Sequence, residues 1–272
     1  MILTGWKGTL EQVRAAAFDG MAQGYDAEFT ATALGSVLRA RVWERLSVVF
    51  AGRERLLELG CGTGEDAVWL ARAGHRVIAT DASAEMIRVA RQKAIAAGCA
   101  GRIEFRCLPM EAMHELPCEA KFDGVFSNFG AVNCVADIGA LSRTLAGMVT
   151  PGAPLLFVAM GRYVPWEWAW YLARGDARRA FRRLRKSGTP WRGLTIHYQT
   201  PRQLAQALAP QFSLRRRTAL GFVLPPSYAG AWLDRSPRML ATLARLERAA
   251  QRLPACAALA DHYILEAARL AA

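Results

Sequence analysis

Residues 56–64 read Leu-Leu-Glu-Leu-Gly-Cys-Gly-Thr-Gly, which combines a short apolar run with three closely spaced glycines. Because glycine has no Cβ, the backbone at Gly60, Gly62 and Gly64 can approach a bulky ligand closely. A second apolar run ends at Asp81, whose carboxylate can accept hydrogen bonds from both hydroxyls of a ribose. The pattern predicts a site that binds a nucleoside.

The spacing of the glycines excludes two common nucleotide sites. A dinucleotide site needs Gly-x-Gly-x-x-Gly, but Glu65 stands where the third glycine would fall. No Gly-Lys-Ser/Thr follows the loop, so it is not a phosphate-binding P-loop. A carboxylate at the N-terminus of the next helix would repel a pyrophosphate and suits a cationic ligand better.

An alternation of strands and helices must position these residues. The hydrophobic pattern predicts strands at 55–59, 75–80, 102–107, 122–127 and 155–160, and helices at 65–73, 84–97 and 137–149. Such alternation requires a parallel sheet with helices on both faces, and ligands then bind beyond the carboxyl ends of its strands. Gly60, Asp81, Met110 and Asn128 all lie at or just after such ends, so we expect them to converge.

These residues give the chain a resemblance to the class I S-adenosylmethionine-dependent methyltransferases. The first motif of that family, acid-x-Gly-x-Gly-x-Gly, is matched by Glu58 and the three glycines. The resemblance covers about residues 18–160, and its other matches are Phe18-Asp19, Tyr25-Asp26, Asp81, Phe122–Phe129 and Thr150-Pro151-Gly152. It implies an α/β fold: a doubly wound, Rossmann-like sheet of seven strands, mostly parallel with the last strand antiparallel, and with helical lid insertions.

The resemblance implies S-adenosylmethionine as the cofactor and assigns residues to it. Asp81 is expected to bind the ribose hydroxyls, with Ala82 beside the adenine, while Glu58 and the glycine loop hold the amino-acid part. Met110 and Glu111 stand where the family often carries an Asp near the adenine amino group. The whole expected set is Tyr25, Glu58, Gly60, Cys61, Gly62, Gly64, Asp81, Ala82, Met110, Glu111, Asn128 and Phe129.

Three members of that set have expected roles of their own. Tyr25 is expected to reach over the cofactor, and the competing interpretation is that it only packs the first helix. Asn128 and Phe129 leave the fourth strand and are expected beside the transferred methyl group.

Methyl transfer from a sulfonium is a one-step displacement, so the protein need not supply a nucleophile. A general base is needed only for acceptors that must lose a proton to react. The resemblance places Asn133 where many small-molecule members carry a His, and His197 and Tyr198 are the other candidates for contact with the acceptor. The competing interpretation makes His197 and Tyr198 core residues. His262 ranks lower because it opens a strand that looks structural.

We expect one compact domain in four parts. These are a helical cap at 1–52, an S-adenosylmethionine-binding core at 53–160, an aromatic and basic lid at 161–200, and the completion of the sheet at 201–272 with a second helical insertion at about 222–260. Within them the pattern predicts helices over Val37–Phe50 and Pro201–Ala209, and strands over 212–220 and 262–267.

The positive charge is concentrated around the lid. Residues 161–217 contain 13 Arg or Lys against two acids, a net +11 of the chain's +12. Trp166, Trp168 and Tyr171 crowd the start of this segment and are predicted to contact the acceptor. A basic amphipathic helix is expected after Asp176. The combination fits an interfacial membrane contact, a lid over an anionic substrate or a nucleic-acid patch, and equally a solvated basic face.

The cysteines and histidines predict no metal site. Six cysteines form no Cys-x-x-Cys pair, and among the four histidines only His114 has helical spacing to a cysteine, Cys118. Free thiols indicate a reducing compartment, so the expected location is the cytoplasm, with peripheral contact at the inner membrane face as an option. No apolar run could span a bilayer, and no signal peptide is recognisable.

The leading hypothesis is a methyltransferase that acts on O or N of a small molecule of amphiphilic, lipid-like or anionic character. The alternatives are an RNA methyltransferase or RNA-binding accessory protein that uses the basic segment, and a cofactor-binding protein without catalysis. Ser127-Asn128-Phe129-Gly130 lacks the Pro-Pro motif of amino-methylating DNA enzymes. Pro117-Cys118 precedes the fourth strand, so it does not match carbon-5 cytosine enzymes. The acceptor and the oligomeric state are left open.

Overall fold

A computed structural model of the chain describes residues 17–117 and 120–271. Seven strands form the main sheet in the order β3-β2-β1-β4-β5-β9-β8, and β6 and β7 form a separate hairpin. The strands are β1 Arg55–Leu59, β2 Arg76–Asp81, β3 Ile103–Cys107, β4 Gly124–Ser127, β5 Pro154–Met160, β6 Thr189–Trp191, β7 Leu194–Ile196, β8 Phe212–Leu220 and β9 His262–Arg269.

Helices cover both faces of the sheet, because successive strand residues point to opposite sides. The α-helices are α1 Ala33–Val49, α2 Glu65–Arg72, α3 Ala84–Ala96, α4 Ile138–Met148, α5 Pro165–Leu172, α6 Ala177–Ala180, α7 Pro201–Leu208 and α8 Pro237–Ala250. Leu56 packs with α1, α2 and α3 in one core cluster. Its neighbour Leu57 packs with α4 and α7 in the other.

The direction of the last strand matters for the site. Strands β1 to β5 are parallel, whereas β9 runs antiparallel to both β5 and β8. The register pairs His262 with Met160 at the end of β5 and with Leu220 at the end of β8. The start of β9 therefore lies at the same sheet edge as the carboxyl ends of the parallel strands.

The predicted seven-stranded, mostly parallel fold is confirmed, and the predicted strands and helices of the core agree with the structure to within two residues. Helix α1 differs more, since it begins at Ala33 rather than at Val37. It starts there because the Thr32 side chain accepts a hydrogen bond from the Gly35 amide at 3.0 Å. Residues 1–16 of the predicted cap, and Cys118, lie outside the described residues.

The predicted basic amphipathic helix of the lid is wrong. Asp176 does cap a helix, through its side chain and the Arg179 amide at 2.9 Å, but α6 ends after one turn at Ala180. A 3-10 turn at Arg182–Leu184 follows. After the break, Arg183 lies in the protein interior and Phe181 is 43% exposed.

A 3-10 turn at Met110–Glu115 follows β3, and another at Ala131–Cys134 follows β4. Within the described ranges, every helix lacks either the length or the apolar content that crossing a bilayer would take.

Candidate active site

A cavity of about 950 Å³ lies at the carboxyl edge of the sheet. Its inner wall comes from the ends of β1, β2 and β3, and its outer wall comes from the lid and from the start of β9. Pockets for small ligands span roughly 300–1,000 Å³, so this one lies near the upper end of that range.

The glycine loop forms the floor of the inner wall. Gly60 and Gly62 line the cavity with φ angles of +67° and +53°, in the left-handed region that other residues avoid. A Cβ at Gly60 would collide with Ala131 and with the Met110 side chain, whereas a Cβ at Gly62 would meet no atom within 4 Å. Gly62 therefore borders open cavity, and Gly60 is needed for packing.

Asp81 is anchored where β2 meets this loop. One carboxylate oxygen accepts a hydrogen bond from the Gly62 amide at 2.8 Å, and the other accepts one from the Ser83 amide at 2.9 Å. Burial raises the pKa of Asp81, while the amides of Ser83 and Gly62 act against that rise. Asp81 lines the cavity, and a carboxylate at this place can accept hydrogen bonds from a ribose diol.

Glu58 lies behind the loop with only 1% of its surface exposed. Its Oε2 atom has no hydrogen-bond partner among the described residues. Burial, and secondarily the charge of Asp66, hold the pKa of Glu58 well above its usual range. A buried acceptor without a donor is uncommon in folded proteins and indicates that a bound group or water completes the site.

The N-terminal part of the chain is tied to the glycine loop through Asp26. The Thr63 hydroxyl donates to Asp26 Oδ1 at 2.7 Å, and Lys93 forms an ion pair with Oδ2 at 2.7 Å. This places the neighbouring Tyr25 in the cavity wall, where burial raises its phenol pKa. Lys93 also pairs with Glu65 at 2.8 Å, so the carboxylate after the loop is engaged within the protein.

Asp66 is a buried hub that the sequence did not indicate. One oxygen accepts from Arg39 at 2.8 Å and from the Trp43 indole at 2.7 Å, and the other accepts from Asn128 at 2.7 Å. The partners lie 27, 23 and 62 residues away in the chain, so no local pattern could reveal them. The hub fixes helix α1 against the end of β4.

Phe129 follows this hub in a strained conformation. Its φ angle is +44°, which is uncommon for a residue with a Cβ, and the Asn128 side chain supports it by accepting from the Phe129 amide at 2.8 Å. The Arg39 guanidinium lies 4.8 Å from the centre of the Phe129 ring. Asn128 and Phe129 both line the cavity.

The remaining residues of the predicted nucleoside site divide into two groups. Ala82, Met110 and Glu111 line the cavity with Tyr25, Gly60, Gly62, Asp81, Asn128 and Phe129. Glu58, Cys61 and Gly64 lie behind the wall; Gly64 is the N-cap of α2, and a Cβ at this position would collide with Ala90.

The predicted catalytic residues are only partly brought together. The Asn133 side chain donates to the His197 carbonyl at 2.7 Å and accepts from the Met160 amide at 2.8 Å, so it joins three chain segments. His197 is not part of the cavity wall, whereas Tyr198 is, with the Arg183 guanidinium 5.1 Å from its ring centre. Burial raises the pKa of Tyr198.

The predicted acceptor-binding aromatics do not line the cavity. Trp166 donates from its indole to the Val223 carbonyl at 3.1 Å, Trp168 packs on Phe181, and Tyr171 packs on Tyr228. Arginines of the lid face the cavity instead, namely Arg178, Arg179, Arg182, Arg183 and Arg185. Arg182 and Arg183 lie in the 3-10 turn that follows the end of α6.

His262 joins the site from the start of β9. It lines the cavity, its Nδ1 lies 3.0 Å from Asp261 Oδ2, and its ring meets the Phe129 ring edge-on at 5.8 Å. Asp261 is in turn held by Arg183 at 2.7 Å. Although burial alone would raise it, Arg183 and His262 hold the pKa of Asp261 well below its usual range. Asp261 is therefore a carboxylate that lies beside the imidazole.

Glu167 connects the lid to Asp261 and His262, because Arg183 contacts both Glu167 and Asp261. It is fully buried and accepts from Arg183 Nε and from the Tyr228 hydroxyl, each at 2.9 Å.

Glu167→Gln removes a charge from a buried cluster, so we expect the free energy of unfolding to fall by about 1.5–3 kcal/mol. Chemical denaturation measures this. Glu85→Gln breaks an exposed ion pair with Arg88 and should cost less than about 1 kcal/mol. Equal losses in both variants would contradict a buried cluster.

No group of three or more His, Cys, Asp or Glu side chains suited to a metal ion occurs within the described ranges 17–117 and 120–271.

Comparison with known proteins agrees with this geometry. Residues 56–152 match the family model of a methyltransferase domain. The chain is 31% identical over 143 residues to the tRNA 5-carboxymethoxyuridine methyltransferase of Escherichia coli K12, covering 51% of this chain and 54% of that protein. It is 40% identical over 105 residues to the ubiquinone biosynthesis O-methyltransferase of Sinorhizobium medicae, covering 39% of this chain and 40% of that one.

The chain thus spans about half the length, or less, of these curated relatives. Among solved structures, the CcbJ methyltransferase of Streptomyces caelestis shares the fold with a TM-score of 0.63 at 14% identity, over 97% of this chain and 100% of that one. The family model covers the glycine loop, Asp81 and the end of β4 together. Residues 56–152 of the chain are therefore similar to a methyltransferase domain.

Proposed function

We propose that this protein transfers a methyl group from S-adenosylmethionine to an oxygen or nitrogen of a small-molecule acceptor. The observation that carries the proposal is the cavity, since one space joins the glycine loop and Asp81 to the arginines of the lid. A nucleoside at the inner wall leaves the outer half for an acceptor.

The inner wall fits the cofactor in three respects. Asp81 offers two anchored carboxylate oxygens to a ribose, and Gly62 leaves open space where a side chain would intrude. Glu58 supplies a buried acceptor that needs a donor, which an ammonium group or a water held by it can provide. These residues would hold the ribose and the amino-acid part.

When bound, S-adenosylmethionine supplies an electrophilic methyl group on a positively charged sulfur. The residues of the chain then contribute alignment and the exclusion of water. Phe129 lines the cavity and is held by Asn128 and Arg39, so it can fix the approach of the acceptor. Alignment of two reactants in this way lowers a barrier by as much as about 7–11 kcal/mol.

His262 is the side chain best placed to accept a proton from the acceptor. It lines the cavity beside Phe129, and the Asp261 carboxylate lies next to its Nδ1. In a neutral imidazole, a proton on Nδ1 that faces Asp261 leaves Nε2 with a free lone pair. A hydroxyl would lose its proton to that nitrogen as its oxygen takes the methyl group, whereas an ammonium would lose its proton first and would attack as the free amine. In both cases the bond between the methyl carbon and the sulfur would break, and its electron pair would stay on the sulfur.

Incubation with methyl-labelled S-adenosylmethionine and a metabolite extract tests the proposal. Mass spectrometry should find a small molecule that gains one label, and Asp81→Ala should abolish the gain because it removes both ribose acceptors. Cofactor binding with no labelled product in small-molecule, lipid or RNA fractions would favour a binding protein without catalysis.

Methylation of RNA is the second candidate, and the similarity to the Escherichia coli tRNA methyltransferase favours it. The same incubation with total tRNA tests it. Label in nucleosides after digestion, with binding that weakens steeply as salt rises, would replace the first proposal.

We also propose that the protein acts in the cytoplasm, with its lid able to contact a lipid surface. Leu172 and Phe181 are 48% and 43% exposed, close in sequence to Arg178 and Arg179. Cosedimentation with anionic, but not neutral, liposomes would support the contact. If the Leu172→Ser, Phe181→Ser double variant sedimented with anionic liposomes as fully as the wild type, the proposed contact would be contradicted.

A further inference from the structure

Only some of the arginines in the lid wall of the cavity form ion pairs with carboxylates of the protein. Five arginines of residues 178–185 line the cavity. Arg183 is buried and paired with both Asp261 and Glu167 at 2.7 Å and 2.8 Å. Arg182 pairs with the same Glu167 at 3.1 Å, and Arg179 pairs with Asp176 at 3.4 Å. Three of the five cations therefore already have a carboxylate within the protein.

Arg178 and Arg185 are different. Neither forms an ion pair or a side-chain hydrogen bond with any residue in the ranges 17–117 and 120–271, yet both line the cavity. Both are exposed, so they lie at its mouth. A cationic sulfonium gains nothing from such neighbours. Two unpaired guanidinium groups at the rim of a substrate cavity suit a carboxylate or phosphate, which arginine binds through paired N–H donors.

The wall between these arginines and the cofactor half is largely apolar. Trp191, Leu194 and Ile196 of the β6–β7 hairpin line it, and the Trp191 ring packs against the Phe18 ring with their centres 5.2 Å apart. Phe129 continues the apolar surface toward the glycine loop. The ligand that fits has an apolar body with an oxyanion at one end.

We propose that Arg178 and Arg185 form an anion-binding subsite that selects a methyl acceptor with an apolar body and a terminal carboxylate or phosphate. This inference rests on the proposed function, because it assigns the outer half of the cavity to the acceptor. The oxyanion lies at the mouth, so the opposite end of the acceptor reaches toward Phe129 and His262.

The test uses protein saturated with S-adenosylhomocysteine and three probes of one shape. These are 2-naphthoate, 2-naphthyl phosphate and the neutral 2-naphthamide, titrated by ligand-observed NMR. The two anions should bind at least about tenfold more tightly than the amide, as expected for charge-assisted pairs. Their relative strengths distinguish a carboxylate site from a phosphate site.

Arg178→Gln with Arg185→Gln should remove the preference for the anions while the affinity for the amide stays the same. The matched control is Arg215→Gln with Arg217→Gln, which removes the same charge from exposed positions on β8 outside the cavity wall. The control should keep the preference. All four positions are exposed, so the melting temperature should hardly change in either variant.

Equal binding of all three probes to the wild type would overturn the subsite, as would an equal loss of the anion preference in the control variant. Weaker binding of S-adenosylhomocysteine by the Arg178, Arg185 variant would also overturn it, since the arginines would then serve the cofactor. A failure of the proposed function gives a different result, namely no uptake of S-adenosylhomocysteine by the wild type.

Discussion

Gly62→Arg is expected to weaken the binding of S-adenosylhomocysteine by at least about 100-fold, which corresponds to about 2.7 kcal/mol. Gly62 lines the cavity, and its missing side chain points into open space beside the Asp81 carboxylate. A long side chain there would fill the place of the nucleoside and would pair with the acid meant for the ribose. Isothermal titration calorimetry measures the change directly.

Gly98→Arg is the matched control for this variant. Gly98 has a φ angle of +69°, borders open space and lies after α3 on the surface, away from the cavity wall. Both variants introduce the same charge and comparable backbone strain, of about 1–3 kcal/mol. Only the Gly62 variant should lose affinity. Retained affinity in that variant would mean that the nucleoside binds elsewhere.

His262→Asn is expected to lower kcat by about 10²–10⁴-fold once an acceptor is identified, because general-base catalysis contributes that much. The affinity for S-adenosylhomocysteine should stay within about twofold of the wild type, since the assigned ribose and amino-acid contacts are distant in the sheet. The loss should shrink for acceptor analogues that ionise more readily, because such acceptors need less help in losing a proton. Steady-state kinetics over a series of analogues checks both points.

His197→Asn provides the comparison, because the sequence ranks His197 above His262 as a base and the structure places it outside the cavity wall. We expect its kcat to stay within about threefold of the wild type. A loss in His197→Asn as large as in His262→Asn would indicate that both substitutions disturb the fold. An unchanged kcat in His262→Asn would show that the acceptor reacts without this base.

The nucleoside half of the site could be predicted because its determinants are local. A strand, a glycine loop, a helix and a second strand follow one another within residues 55–81, so their spacing reveals both the fold and the ligand. Parallel strands present their carboxyl ends at one edge, and this rule gathers Gly60, Asp81 and Asn128.

The outer half depends on long-range contacts and could not be predicted in the same way. The sequence ranks His262 low as a base because it opens a strand. In the structure that strand is antiparallel, so its start lies at the sheet edge where the parallel strands end. The aromatics of α5 were expected at the acceptor because they are conspicuous in the sequence. The lid packs them against its own residues, and the buried Glu167 and Asp261 draw Arg183 inward at the point where the helix breaks.

Calorimetric titration of the wild-type protein with S-adenosylmethionine and with S-adenosylhomocysteine tests most directly whether the glycine loop and Asp81 form the cofactor site. Each should bind at one site per chain, and inorganic pyrophosphate and NAD should produce no heat of binding. Saturating pyrophosphate or NAD binding, with no heat from either sulfur nucleoside, would contradict the assignment of the glycine loop and Asp81 to S-adenosylmethionine.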